Sequence, residues 1–446
     1  MLTYVLIISI KYYSVTLIII FTFSFFQGVL ELLGIPTIVP RLFLEFAILI
    51  LFFKTMYILG RKQEKVQFKW GVWMLLIFIT TIVSAIINKT SLISWLLFSR
   101  HVFIFYLMFI AIYNSNMSNK DIRKVNYWLV GLFIIQIPAA VIKLLIYGAT
   151  YGRIVEGGGI GTVSVQAGSL ALLITLIPIS FLFSKYIYDR RFRYLLFMLA
   201  FFPINFASGK RATAFVIPVL LSLIIINYLI VNKKINIFRI IKYSFGIILI
   251  SITTLYITSQ TSPYLNPDGI RFGGSFDLKY MYERMVAYSV SYDFENPGAG
   301  RIPAIETTYA YANNKGIEKV LFGFGPGGII GSYLIKETRD IRNIHDLPYG
   351  TRSGFLWLFL QIGLLGASFY LLFIINLFRD IYHNYKVNKH NRNKAPILLG
   401  IIGCIFVFLF DFSIYSHSFI TSGVMMPVLF YLSAIYLSPR ITPKMF

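Results

Sequence analysis

The sequence is poor in the charged residues that cover the surface of a soluble protein. Only 13% of its 446 residues are charged, whereas about a quarter is usual for soluble proteins. Hydrophobic residues make up 57% of the chain. This composition excludes an ordinary globular enzyme and indicates a polytopic membrane protein.

Cysteine and acidic residues are scarce as well. The one cysteine, Cys404, lies in an apolar run, so neither an intrachain disulfide nor a thiolate metal cluster can form. The chain has 18 acidic residues and 41 Lys and Arg, which gives a formal net charge of +23. Such an excess often indicates nucleic-acid binding, but a mean hydropathy of +0.73 favours lipid instead. We therefore expect membrane lipids and no nucleic acid as partners.

Several catalytic motifs are missing from the sequence. It contains no HExxH, CxxC, DxD, GxSxG or GxxxxGK[ST] pattern, which leaves zinc catalysis, serine hydrolysis and nucleotide hydrolysis without support. Nucleotide-sugar transferases commonly bind their donor through DxD, so its absence argues against a donor of that kind. We expect neither a metal nor a cofactor.

Twelve stretches approach the roughly 20 apolar residues that a helix needs to cross the hydrocarbon core. They lie at about 10–30, 42–60, 70–88, 93–114, 125–147, 166–184, 194–207, 213–231, 243–259, 354–377, 396–412 and 420–437. The sequence therefore predicts an all-α polytopic membrane protein with about twelve transmembrane helices.

Lysine and arginine placement predicts the orientation of these helices, because cytoplasmic loops are enriched in both residues. Alternate loops hold 22 Lys and Arg but only four acidic residues; they are 61–69, 115–124, 185–193, 232–242, 378–394 and the tail after 438. We predict that these loops and both termini are cytoplasmic. Residues 1–259 would contain helices 1–9, and 354–446 helices 10–12 and the tail.

The segment 260–353 is too long for a simple connection between two helices. Its ten basic and ten acidic residues cancel, so its net charge does not suggest a polyanion-binding domain. Tyr280–Tyr292 and Ile302–Val320 have helix-like spacing, and Gly323–Gly331 is a turn or loop. We predict a small, mostly helical cap over the outer mouth of the bundle.

Charged residues inside the predicted helices need a structural or functional reason, since each costs roughly 2.5–3.5 kcal/mol on insertion scales. Glu45 and the pair Arg100 and His101 fall in the outer half of helices 2 and 4, where they could pair. A structural Glu–Arg bridge and a substrate-binding role for Arg100 both remain open.

Other cations are predicted to lie near the outer face. Helix 7 spans only about 14 residues, or roughly 21 Å, so Lys210 and Arg211 should lie at the depth of the outer leaflet. There they would face a watery cavity, bind an anion or reach out to lipid headgroups. The remaining candidates are Lys143, Arg153, Arg301, Arg339, Arg342, His345 and Arg352. Guanidinium groups suit phosphate through fork-shaped hydrogen bonds.

Three segments carry a resemblance to a known family. They are Arg153 with its glycine-rich loop, the SGKRATAF turn at 208–215, and GR…LFGFGPGG…HD…SGFLWLFLQIGLLG from Gly300 to Gly366. Together they resemble the O-antigen polymerase and ligase superfamily of bacterial membrane glycosyltransferases. The resemblance covers residues 150–370 by motif and the remainder by topology.

The resemblance implies a bacterial cytoplasmic (inner) membrane enzyme whose site faces the periplasm or exterior. Donor and acceptor would be oligosaccharides linked to undecaprenyl pyrophosphate, with a chain-length regulator as a further partner. Arg153 and Arg301 would hold the donor pyrophosphate, and Lys210 and Arg211 match the family's serine–glycine–basic turn. His345 falls where the ligase branch has His followed by Asn, although Asp346 stands here instead.

The residues and the resemblance together favour a metal-independent, inverting polysaccharide polymerase. An acceptor hydroxyl would attack the anomeric carbon with His345 as base, and Glu156 or Asp346 as second choices, while the cations stabilise the departing pyrophosphate. Two alternatives stay open. One is a ligase that transfers the glycan to lipid A core or protein, and the other is a flippase for lipid-linked oligosaccharides.

Overall fold

The structure is a computed structural model that describes residues 12–36, 38–151, 161–163, 168–202, 204, 212–232, 237–261, 267–268, 274–290, 300–328 and 353–441. Its helices are, in chain order, α1 (Tyr13–Phe25), α2 (Gln27–Leu32), α3 (Ile38–Arg61), α4 (Gly71–Ile87), α5 (Leu92–Tyr113), α6 (Asn119–Tyr151), α7 (Gly168–Asp189), α8 (Arg193–Leu199), α9 (Thr213–Asn232), α10 (Ile237–Thr261), α11 (Leu278–Val290), α12 (Arg301–Asn314), α13 (Ile317–Phe322), α14 (Gly354–Val387), α15 (Ala395–Phe410), α16 (Ser418–Thr421) and α17 (Met425–Leu437).

The described residues form an α-helical protein in which no β-strand occurs. Seven of these helices, α3, α5, α6, α7, α9, α14 and α15, contain segments long and apolar enough to cross a membrane. Shorter apolar segments occur in α1, α4, α10 and α17. The prediction of an all-α membrane protein is confirmed at this level.

The helices pack around one continuous hydrophobic core that includes residues of α1, α3, α5, α7, α14, α15 and α17. Helices α3, α5 and α14 begin at the same end of the bundle, where α15 ends; we call this the Gly354 end. Two contacts fix it, since Arg100 of α5 pairs with Glu45 of α3 and Trp357 of α14 stacks on Phe98 of α5.

The opposite end, which we call the Val387 end, is held by polar contacts between helix termini and loops. Lys69 Nζ lies 2.8 Å from Asp380 Oδ2, and Arg440 forms an ion pair with Glu64. The Tyr188 and Tyr385 hydroxyls are 2.9 Å apart. Because these groups come from well-separated parts of the chain, the contacts fix the order of the helices at this end.

The long segment between α10 and α14 contains helices where the sequence predicted them. Helix α11 covers most of Tyr280–Tyr292, while α12 and α13 cover most of Ile302–Val320. Residues 323–328, which we call the glycine segment, follow α13 without regular helix, as predicted for this part of the chain. Of these elements, α13 packs most closely on the bundle, against α14.

Helix α14 is interrupted at Gly363, which has φ 69° and ψ −174°. This conformation frees backbone carbonyls that a continuous helix would satisfy, and a lipid-embedded chain must satisfy them internally. The Phe324 N–H donates to the Leu360 carbonyl over 2.8 Å, and the Ser84 hydroxyl donates to the Gln361 carbonyl over 3.0 Å. The glycine segment and α4 thus supply the hydrogen bonds that these two carbonyls need at the break.

The glycine segment is held between this break and the turn that joins α4 to α5. The Asn88 side chain donates to the Gly323 carbonyl over 3.1 Å, and the Gly327 N–H donates to Gln361 Oε1 over 2.9 Å. Gly327 has φ 89°, and a Cβ there would overlap the backbone of Ser94. Glycine is needed here for both its backbone conformation and the close approach.

Several predicted helices differ from the observed ones in continuity. The stretch 354–377 reads as one helix because its residues are uniformly apolar, yet the chain breaks it at Gly363. Likewise, 10–30 is divided into α1 and α2, and 420–437 is interrupted before α17. Hydropathy reports which residues are apolar, but it does not report such local turns.

We expect Gly363→Ala to destabilise the protein by about 2 kcal/mol or more. The alanine would be held at positive φ, and its Cβ would overlap the Leu321 carbonyl group. Cys404 is 1% exposed and is the one cysteine of the chain. The temperature at which it reacts with a fluorogenic maleimide therefore reports unfolding in detergent.

Gly131→Ala is the matched control, because Gly131 lies in α6 with no atom within 4 Å of an added Cβ. It should unfold at the wild-type temperature or slightly above, since alanine favours a helix. Equal unfolding temperatures for Gly363→Ala and wild type would contradict the role assigned to the break.

Candidate functional site at the Gly354 end

Three charged side chains meet where α3 and α5 begin. Arg41 Nε donates to Glu45 Oε1 over 3.2 Å, and Arg100 Nε lies 3.7 Å from the same oxygen. Their side chains are only 12–20% exposed. One carboxylate therefore balances two guanidinium groups, and the cluster carries a surplus of positive charge.

Helix geometry explains this cluster. Arg41 and Glu45 are four residues apart and so share one face of α3, which packs along α5. The predicted pairing of Glu45 with Arg100 is confirmed. Arg41 was not among the predicted residues, although its spacing of four from Glu45 was a signal that could have found it.

Beside this cluster lies a row of three rings from three different elements. His101 is 6% exposed, and its ring centroid lies 5.9 Å from that of Trp357. His417 stacks on Trp357 at 6.4 Å with an angle of 11° between the planes. Arg41, Arg100 and His417 all lie near enough to His101 for their charges to interact with it.

Asp411 fixes the chain segment that carries His417. It begins the π-helical turn Asp411–Tyr415, and its side chain is fully buried. The carboxylate accepts hydrogen bonds from the Phe419 N–H over 2.7 Å and from the Ser416 hydroxyl. These bonds close a loop around His417, so they set the position of its ring against Trp357.

Arg301 brings the long segment into contact with this turn. It is the first residue of α12, and its Cζ lies 5.4 Å from the centroid of the Tyr415 ring. The guanidinium is also close enough to Asp411 for the two charges to interact. A cation over an aromatic face is restricted in direction, so the contact with Tyr415 limits the positions that the Arg301 side chain can take.

The structure brings Arg301 and Arg100 to the same end of the bundle. The row His101–Trp357–His417 and the Asp411 turn connect their surroundings. The other predicted site residues lie outside the described part of the chain, namely Arg153, Lys210, Arg211, Arg339, Arg342, His345 and Arg352, with the second-choice bases Glu156 and Asp346. Lys143 lies in α6, and its side chain is likewise outside the description.

Asp411 is the main functional candidate that sequence reasoning missed. Asp411 lies at the end of a long apolar stretch. An acidic residue there is costly in a membrane-spanning helix, and that cost is a signal of a structural or functional role. His417 was not among the predicted site residues either. Its contact with Trp357 depends on the π-helical turn and the loop around Asp411, which no periodic pattern in the sequence predicts.

The arrangement is suited to an anion. The residues that contact one another here include three guanidinium groups, from Arg41, Arg100 and Arg301, and the carboxylate of Glu45, which lies between Arg41 and Arg100. Arg100 Nε and Arg41 Nη2 are buried and have no hydrogen-bond partner among the described residues, so Glu45 does not satisfy every donor of the two groups. Guanidinium groups suit phosphate through charge-assisted hydrogen bonds.

No protein-family model and no curated protein matches this sequence.

We expect Glu45→Gln to lower the free energy of unfolding by about 2 kcal/mol, because it leaves two largely buried guanidinium groups without a counter-charge. Maleimide reaction of Cys404 measures the loss. Exposed Glu31 provides the control, and Glu31→Gln should change stability by less than about 0.5 kcal/mol. Adding Arg100→Gln to Glu45→Gln should restore part of the loss; no recovery would contradict a charge imbalance.

Proposed function

We propose that the protein is a membrane glycosyltransferase that polymerises lipid-pyrophosphate-linked oligosaccharide repeat units, as the resemblance to the O-antigen polymerase superfamily implies. The observation that carries the proposal is the position of Arg301. This arginine of the predicted donor site begins α12 against Tyr415 and Asp411, at the end of the bundle that also holds Arg41 and Arg100.

The proposal includes a topology of about twelve transmembrane helices with both termini in the cytoplasm. The Val387 end would face the cytoplasm, since lysine- and arginine-rich loops meet there, as the Lys69–Asp380 and Arg440–Glu64 pairs illustrate. The Gly354 end, with α12, α13 and the glycine segment, would then face the periplasm or exterior. A site at that end suits a donor presented in the outer leaflet.

The proposed reaction is a single displacement at the anomeric carbon of the donor. The acceptor hydroxyl oxygen forms the new bond to that carbon, the bond from carbon to the pyrophosphate oxygen breaks, and the hydroxyl proton passes to a base. Inversion at the anomeric carbon follows from one displacement. His345 is the proposed base, with Glu156 and Asp346 as second choices.

Arginines would stabilise the charge that develops on the departing lipid pyrophosphate. Arg301 and Arg153 have this role in the proposal, and Lys210 and Arg211 assist in binding. The guanidinium of Arg301 lies over the Tyr415 ring, so it would require little reorganisation as the leaving group departs. A protein that regulates polysaccharide chain length is a further proposed partner.

The topology predicts opposite accessibility for two engineered cysteines. In a Cys404→Ala background, Ser275→Cys lies before α11 and Asn393→Cys lies before α15; both residues are exposed. A membrane-impermeant maleimide should label position 275 in intact spheroplasts and position 393 only after permeabilisation. The reverse pattern would contradict the orientation.

The activity is tested with purified full-length protein, a chelator, and the lipid-linked repeat unit from the same locus. We expect a ladder of products that rises by whole repeats. Arg301→Ala and Arg153→Ala should each slow it by about 100-fold or more, because each removes charge stabilisation of the leaving group. Arg301→Lys should keep part of the activity, since it retains the charge but not the fork of donors.

Arg284→Ala is the matched control for Arg301→Ala, since Arg284 is exposed on α11 and contacts its own neighbour Tyr280. It should leave the ladder unchanged. Transfer of the glycan to a lipid A core without a ladder would identify a ligase. If the protein forms neither product but moves the substrate across vesicle membranes, it is a flippase and not an enzyme.

A further inference from the structure

A bounded groove separates α4 from α5 on the outside of the bundle. The two helices are joined by a short turn but touch each other little, because α4 packs mainly on α14 and α5 on α3 and α17. The groove has a volume of about 610 Å³. Its walls are largely apolar and rich in aromatic side chains, including Met74, Leu75, Phe78, Trp95, Leu96 and Phe103.

Contacts between the two helices border the groove. The Phe78 ring of α4 lies 5.8 Å from the Trp95 ring and 5.7 Å from the Phe103 ring of α5, and the Tyr106 hydroxyl donates to the Lys69 carbonyl over 2.8 Å. From residue 95 to residue 107 of α5 the groove extends about 18 Å at 1.5 Å per residue. Such a recess holds a single hydrocarbon chain.

Arg100 belongs both to this groove and to the cluster at the Gly354 end. It lines the groove together with Ser99, while its Nε lies 3.7 Å from Glu45. The buried Arg100 Nε and Ser99 Oγ have no hydrogen-bond partner within the described ranges. An apolar groove whose wall carries an incompletely satisfied cation fits a molecule that joins a hydrocarbon chain to an anion.

We infer that the groove binds the isoprenoid tail of the lipid-linked substrate, with its phosphate at Arg100 and Arg41. The inference rests on the proposed function and assigns the tail to a surface continuous with that site. The surplus positive charge of the Arg41–Glu45–Arg100 cluster matches the phosphate. The aromatic walls match a branched, unsaturated chain, whose burial contributes roughly 0.8 kcal/mol per CH₂.

The glycine segment lies beside the Trp95 end of the groove. Gly325 approaches Thr90, and Gly327 approaches Ser94 so closely that neither position has room for a Cβ. A substrate whose tail occupies the groove would therefore have its head beside the chain that connects α12 and α13 to the bundle. Tail and head would be bound by adjoining parts of one surface.

The test uses full-length protein in detergent and a diazirine-labelled undecaprenyl phosphate. Cross-links should map to residues 68–107, the part of the chain that lines the groove. Leu75→Trp should reduce them about tenfold, as expected if its ring removes roughly two CH₂ groups from the apolar surface. Ile86→Trp is the matched control, since Ile86 is 72% exposed on the same helix and does not line the groove; it should leave labelling unchanged.

Competition with unlabelled lipids identifies which lipid occupies the groove and whether Arg100 binds its phosphate. Unlabelled undecaprenyl phosphate should compete better than undecaprenol, and Arg100→Gln should remove that difference. Equal competition by phosphatidylglycerol would overturn the inference in favour of a bilayer phospholipid. Labelling outside residues 68–107, or full labelling of Leu75→Trp, would also overturn it.

Failure of the groove and failure of the proposed function give different results. If Leu75→Trp forms the product ladder at the wild-type rate, the inference that the groove binds the lipid tail is wrong, while the proposed polymerase activity is supported. Cross-links in the groove from a protein that forms no ladder would support the lipid site while the polymerase fails.

Discussion

The need to satisfy every backbone hydrogen bond inside a lipid-facing protein governs the arrangement at the Gly354 end. Because Gly363 interrupts α14, carbonyl groups of the preceding turn require donors from elsewhere. Phe324 of the glycine segment and Ser84 of α4 supply them. A local break in one helix thereby connects the long segment before it to the bundle, and the position of α13 follows from that connection.

A second constraint is the balance of charge in a largely buried place. Glu45 stands between Arg41 and Arg100, and Asp411 lies beside Arg301. Glu45 orients the Arg41 side chain through a hydrogen bond, but one carboxylate leaves a surplus of positive charge on the pair of guanidinium groups. Stability and the proposed anion binding therefore depend on the same residues, so substitutions at this end are expected to affect both.

The sequence predicts the helices well and the site only in part. A membrane-spanning helix needs a continuous apolar stretch, and cytoplasmic loops are enriched in Lys and Arg, so both features can be recognised in the sequence. The Glu45–Arg100 pair was also predictable, because both residues carry that cost at the same depth. The contacts of Asp411 and His417 were not, since they arise from a π-helical turn that leaves no periodic signal.

The hydrogen bonds of the glycine segment also restrict how the donor of the proposed reaction would reach Arg301. Only residues 315–322 separate α12 from the segment that is fixed between α14 and the α4–α5 turn. The described residues after α12 are therefore held against the bundle. In the proposed reaction, a donor embedded in the bilayer would approach Arg301 sideways, between helices, without passing through the water above these residues.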